Sequence, residues 1–101
     1  KIFPHKPGAA IASARRAGTT ATLDQLNKYF TINQMILVSG RYWNMVHGRS
    51  PEDVYKDLEG IQNMRFLARN FAWVLKSIKV AKEAGINPPE QEEVVWTDYI
   101  R

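Results

Sequence analysis

Two short apolar runs separated by a segment of helical spacing leave few folds open to this chain. Residues 9–13 (Ala9, Ala10, Ile11, Ala12, Ser13) and 35–39 (Met35, Ile36, Leu37, Val38, Ser39) are continuous and short, as expected of strands buried on both faces. Between them Leu23, Leu26 and Phe30 recur at spacings of three and four, with Asp24 in the expected first turn and Thr20 or Thr22 as the capping hydroxyl. Strands joined through a helix are normally parallel, so the loops after both runs are expected at one edge of the sheet. In open α/β sheets, ligands bind at that carboxyl edge. Two strands are fewer than such sheets usually contain, so the pattern calls for further strands from a missing N-terminal half or a partner chain.

The remaining sequence reads as helix. Ser50, Pro51, Glu52 and Asp53 make a capped start with proline at the first position and acids in the first turn. Gly60 is expected to separate this short helix from a longer one, the two covering 50–85. In the longer helix Ile61, Met64, Leu67, Phe71, Val74, Ile78 and Ala81 form an apolar face, and Phe66 and Trp73 are read as packing residues as well. Helix is expected over 58–84, ended by Gly85 with Ile86 behind it and by Pro88 and Pro89. The organisation predicted is one domain over 1–101: a loop (1–7), a strand-helix-strand unit with ligand loops (8–49), C-terminal helices (50–85) and an acidic tail (86–101) whose apolar residues need a partner surface.

Composition narrows function by exclusion. The 101 residues carry a net charge of +4 and no cysteine. Thiolate metal sites, disulfides and a cysteine nucleophile are therefore excluded within the chain. His5 and His47 are too isolated to argue for a metal, and neither a phosphate-loop nor a dinucleotide fingerprint is present. No catalytic residue is assigned. No apolar run approaches the roughly 20 residues of a membrane span, and no signal peptide is seen, so a cytoplasmic setting is expected. The chain opens on Lys1, as a processed, tagged or internal start would.

Two loops concentrate chemistry. Ser13, Ala14, Arg15, Arg16, Ala17, Gly18 and Thr19 lie between the first strand and the helix N-terminus, where free backbone N–H groups favour an anion or an electron-rich ring edge. Arginine adds planar hydrogen bonding and stacking. The bland alternative is a solvent-facing capped turn. The second loop, from Arg41, brings Tyr42, Trp43, Asn44 and His47, suited to stacking on an aromatic ligand or to anchoring an interface.

The stretch from Lys6, Pro7 and Gly8 through Thr20, together with Leu26, Asn27, Lys28, Tyr29 and Phe30, and with Tyr42, Trp43 and Asn44 after the next strand, resembles the NAD(P)H-dependent FMN reductase branch of the flavodoxin-like superfamily, close to the iron–sulfur flavoproteins. The likeness is to the C-terminal half of such proteins. It implies an α/β flavodoxin-like parallel sheet flanked by helices, of which this chain supplies the last two strands and the C-terminal helices. It implies FMN as cofactor and NAD(P)H as electron donor. The cofactor-binding residues would be Ser13, Ala14, Arg15, Arg16, Ala17, Gly18 and Thr19, with Trp43 and Asn44, in the loop from Tyr42, bordering the flavin pocket or the subunit interface. It also implies a homo-oligomer. The family's FMN phosphate loop and the cluster cysteines of the iron–sulfur branch belong to the half not matched here. The competing reading is a small basic interaction module for protein or nucleic acid; nucleic acid is not the expected partner, nor is a membrane.

Overall fold

The structure is a computed structural model that describes residues 2–98; residue 1 and residues 99–101, at the ends of the predicted loop and tail, lie outside the described residues. It is an α/β arrangement of short parallel strands and helices. In chain order the elements are β1 (Pro7–Gly8), β2 (Ala12–Ala14), α1 (Thr19–Ile32), β3 (Ile36–Leu37), β4 (Met45–His47), α2 (Pro51–Val54) and α3 (Leu58–Glu83).

Each predicted strand is broken in two. β1 pairs with β3 and β2 with β4, both parallel, with Gly8 opposite Leu37 and Ser13 opposite Val46. The first strand is interrupted by three residues (9–11) and the second by seven (38–44). The second strand therefore leaves the ladder after Leu37, makes an excursion, and returns at Met45. Val38 N–H donating to Gly8 O (3.0 Å) and Ala12 N–H donating to Asn44 O (3.0 Å) mark its two ends. Parallel pairing thus holds, while the bounds 9–13 and 35–39 do not. The excursion also corrects the loop assignment: residues 45–47 are strand, so the segment from Arg41 to Asn44 does not lie at the carboxyl edge but within the length of the second strand.

Register decides which helix covers which face. Successive strand residues point to opposite sides. A side chain at Gly8 would meet Phe30 and Met35 at 3.0 Å, so the face of Gly8, Leu37, Ala12 and Met45 looks toward α1 and the turn after it. Val46, paired with Ser13, lies on the other face and packs on Gly60 of α3. The two long helices therefore flank the strands from opposite sides.

Both long helices end in the same device. Gly85 sits at φ 85°, with Gly85 N–H bonded to Lys82 O (3.1 Å) and Ile86 N–H to Ala81 O (2.8 Å). The predicted glycine stop is thus a Schellman motif. Gln34, at φ 60°, does the same for α1 through Gln34 N–H to Thr31 O and Met35 N–H to Phe30 O. Helix starts follow expectation less closely. Ser50 caps α2 through Asp53 N–H as predicted (3.3 Å). α1, however, starts at Thr19 with Gly18 at the cap and no side-chain cap bond, and Thr22 Oγ1 instead donates to Gly18 O (2.8 Å). Asp24 consequently falls outside the first turn. Nor does Gly60 divide the last two helices: it lies inside α3, and the break falls before Asp57, which caps that helix.

The core is small. Among the described residues Ala12, Leu23, Val38, Val46 and Leu67 are the buried apolar ones, while Ile11, in the break between β1 and β2, is 55% exposed. Phe66 and Trp73 do not pack inward as predicted; Trp73 is 70% exposed. Their seven-residue spacing places them on a second stripe of α3, and the inward stripe carries the polar Asn63 instead.

Gly60 tests the α3–strand contact. A Cβ there would collide with the Asp57 carboxylate and lie 2.9 Å from Val46 Cγ1. Alanine improves helix propensity by about 1 kcal/mol, but overpacking costs about 1–3 kcal/mol, and the cap is displaced besides. Gly60→Ala is expected to lower the urea midpoint at unchanged m value, measured by far-UV circular dichroism.

Candidate functional site

The carboxyl ends of β2 and β4 meet through side chains as well as backbone. Gly48 N–H donates to Ala14 O (3.1 Å), extending the ladder by one bond. Thr19, 5% exposed, places Oγ1 3.3 Å from His47 Nε2 and 3.4 Å from Met45 Sδ. The first residue of α1 is thus fastened to the last residue of β4. Between these anchors Ser13, Arg15, Arg16, Ala17 and Gly18 are exposed and Ala14 is half-buried.

Gly18 takes φ 95°, and nothing lies within 4 Å of where its Cβ would be. The left-handed cap turns the chain sharply into α1 without filling the space in front of it. The first N–H groups of a helix have no intrahelical partner, and here no side chain caps them. The loop therefore presents backbone donors, two guanidinium groups and a serine hydroxyl on an open surface at the sheet's carboxyl edge. That combination suits an anionic or electron-rich planar ligand.

Trp43 and Asn44 are placed elsewhere. Asn44 spends its side-chain amide inside the protein: Nδ2 donates to Ala10 O (3.1 Å) and Oδ1 accepts from Gly40 N–H (3.3 Å). It ties the excursion to the gap in the first strand. The Trp43 and Tyr42 rings pack in a tilted pair, 4.8 Å between centroids and 51° between planes, and both residues are more than half exposed. They stand at the lateral edge of β4 between two shallow cavities. One, of about 240 Å³, lies against His47, Asp57 and Asn63; the other, of about 100 Å³, lies against Thr20 and Leu23 of α1. Neither of these two cavities is lined by a residue of the 13–19 loop. The two predicted loops are thus linked through Thr20 and the strands, not fused into one pocket.

Two residues that organise this region escape a reading of the sequence. Asn63, 4% exposed, accepts at Oδ1 from the N–H groups of Arg41 (2.7 Å) and Tyr42 (2.9 Å), and its Nδ2 donates to the carbonyls of Tyr42 (3.2 Å) and Trp43 (2.7 Å). All its hydrogen-bonding capacity goes into holding the excursion. A Cβ on Gly40 would lie 2.5 Å from Asn63 Oδ1, so the small residue is what admits the amide. Asp57 accepts His47 N–H at Oδ2 (2.8 Å) and Gly60 N–H at Oδ1 (2.9 Å), joining the end of β4 to the start of α3. The only sequence signals were a polar residue on an apolar helix face and an acid three residues before a glycine.

These bonds hold the Asp57 carboxyl below the usual carboxylate range, first through Gly60 N–H and then through His47 N–H, with the nearby His47 charge adding a smaller pull and desolvation opposing them. Among the described residues no group of three or more acidic, histidine or cysteine side chains is placed to hold a metal, and no helix is long and apolar enough to cross a membrane.

No family model matches the chain, and no solved structure matches it. The sequence is 32% identical over 82 residues to an iron-sulfur flavoprotein of Methanocaldococcus jannaschii, a match covering 74% of this chain and 42% of that protein. The chain thus spans less than half the length of this relative.

Two variants probe the scaffold. Asn63→Ala strands backbone groups that water must reach, at about 1–3 kcal/mol for each group left unsatisfied; it should lower the unfolding midpoint and shift Trp43 emission to the red. For Asp57, a folded-state pKa below the unfolded one contributes stability that is fully present above the unfolded value, about 4, and is lost as pH falls through the folded value. Asp57→Asn should therefore be less stable than wild type at neutral pH, with the gap closing under acid; urea titrations across pH check this.

Proposed function

We propose that this chain is the C-terminal half of a flavodoxin-like, FMN-binding domain in an NAD(P)H-dependent oxidoreductase of the flavin or quinone reductase type. The observation that carries the reading is the exposed loop of residues 13–18, running from a parallel strand into an uncapped helix N-terminus. The partial likeness to an iron-sulfur flavoprotein supports it.

The residues fit such a group. The open space at Gly18 admits a planar ring against backbone. FMN, when bound, supplies hydride acceptance from reduced nicotinamide and onward electron transfer. In this proposal Ser13 Oγ and the backbone from Ala14 to Gly18 hydrogen-bond the flavin edge. Arg15 or Arg16 compensates the negative charge that develops on the ring on reduction. Thr19 holds the loop through His47, while Asn44 holds the excursion and Trp43 stands apart from the 13–19 loop, outside the flavin edge. The remaining strands and the phosphate-binding part come from the missing N-terminal half or a partner chain, docking on the unpaired side of residues 7–14. A homo-oligomer then covers the apolar surface left exposed.

The test uses the complete protein. It should purify yellow or bind FMN on titration; a protein that neither retains nor binds FMN overturns the reading. Arg15→Ala and Arg16→Ala are expected to differ, because neighbouring loop residues point apart. One weakens FMN affinity roughly ten- to a hundredfold, the equivalent of a lost charge-assisted hydrogen bond, and the other is near neutral. Gly18→Val is the most damaging, since valine tolerates neither φ 95° nor the close approach. Unchanged affinity in all three variants, followed by flavin fluorescence quenching, reduces the loop to a solvent-facing turn. Affinity that falls steeply with salt for nucleic acid, with none for flavin, favours the interaction-module alternative.

A further inference from the structure

α3 carries a second stripe that the fold leaves uncovered. Phe66, Trp73 and Val80 recur every seven residues and are 38%, 70% and 62% exposed. At 100° per residue they lie about 100° around the helix from the inward line of Asn63, Leu67 and Val74. Arg65, Arg69 and Lys76 run along one flank of the stripe. From Gly60 to Lys82 the helix contains cations and no acid.

The tail has the opposite character. From Glu90 to Trp96 it carries Glu90, Glu92 and Glu93 followed by Val94, Val95 and Trp96, with no cation. It forms no helix or strand, and Val95 and Trp96 are 91% and 86% exposed. The two described ion pairs, Arg41–Glu59 and Lys56–Asp53, engage none of these tail acids and none of the α3 cations. Lengths agree as well: seven extended residues span about 20 Å, and the fourteen-residue rise from Phe66 to Val80 spans about 21 Å.

We infer that this tail docks on the outer stripe of α3 in a second copy of the chain. Glu90, Glu92 and Glu93 lie over Arg65 and Arg69, and Val94 and Trp96 pack along Trp73 and Val80, so the tail runs parallel to the helix that receives it. The route of the tail favours a second copy over its own helix. After Gly85 it passes Ile36 and Ile78, then runs beside Gln34 at the far end of α1, on the opposite side of the strands from α3. It therefore leads away from its own stripe. A reciprocal exchange uses both tails and both stripes and closes on itself as a two-fold dimer. The inference does not rest on the flavin reading.

Two charge-reversed variants of the 101-residue chain test it, with circular dichroism confirming that each keeps its helix content. One carries Glu92→Lys and Glu93→Lys; the other carries Arg65→Glu and Arg69→Glu. Wild type should sediment as a dimer, and each variant alone should dimerise about tenfold or more weakly, because like charges then face each other. Mixed in equal amounts, the two should form a 1:1 heterodimer, since each tail now meets a helix of opposite charge. A monomeric wild type, variants that dimerise as tightly as wild type, or a mixture that stays monomeric would each overturn the proposal.

Discussion

The buried amide of Asn63 is the contact on which the rest of this small structure depends. The second strand must leave the ladder for seven residues and rejoin it in register. A backbone that does so exposes N–H and C=O groups to a protein surface with few partners for them. Asn63 meets four of these groups from a single side chain on α3. It therefore closes the excursion and fixes α3 against the strand in one step. Asn44 does the complementary work from inside the excursion, filling the gap in the first strand through Ala10 O.

Asp57 extends the same logic toward the carboxyl edge. One oxygen caps α3 and the other holds His47 N–H, while the His47 ring faces Thr19 at the start of α1. Asp57, His47 and Thr19 form a continuous polar line from α3, across the end of β4, to the loop at residues 13–18. That loop is exposed and lacks a side-chain cap of its own. Its shape is set by groups at its base, which leaves its own donors free to meet a ligand.

With five apolar residues buried among the described residues, the strands and helices form an open layer. α1 and α3 cover opposite faces of two strands, and the paired side of residues 7–14 is used while the other is not. Unpaired strand edges and exposed aromatics invite further pairing. The strands leave one edge unpaired, and the outer stripe of α3 is exposed. These are separate surfaces, so covering one does not satisfy the other.

The sequence by itself determined the order of elements, the parallel relation of the two runs, the Ser50 cap, the Gly85 stop and the extent of the last helix. Each follows from local signals: short apolar runs, spacing of three and four, a capping hydroxyl before proline, a glycine free to take positive φ. Only the tertiary structure decided the break in each strand, because seven residues between Leu37 and Met45 look the same in sequence whether they continue a strand or leave it. It also decided that Asn44 serves the scaffold, that Trp43 stands at the lateral edge, and that Phe66 and Trp73 face outward. Helical spacing establishes that a stripe exists, but not which stripe finds a partner. Asn63 and Asp57 were hidden for the same physical reason. The worth of a polar side chain inside a protein lies in the groups it meets, and those groups are 20 and 10 residues away along the chain.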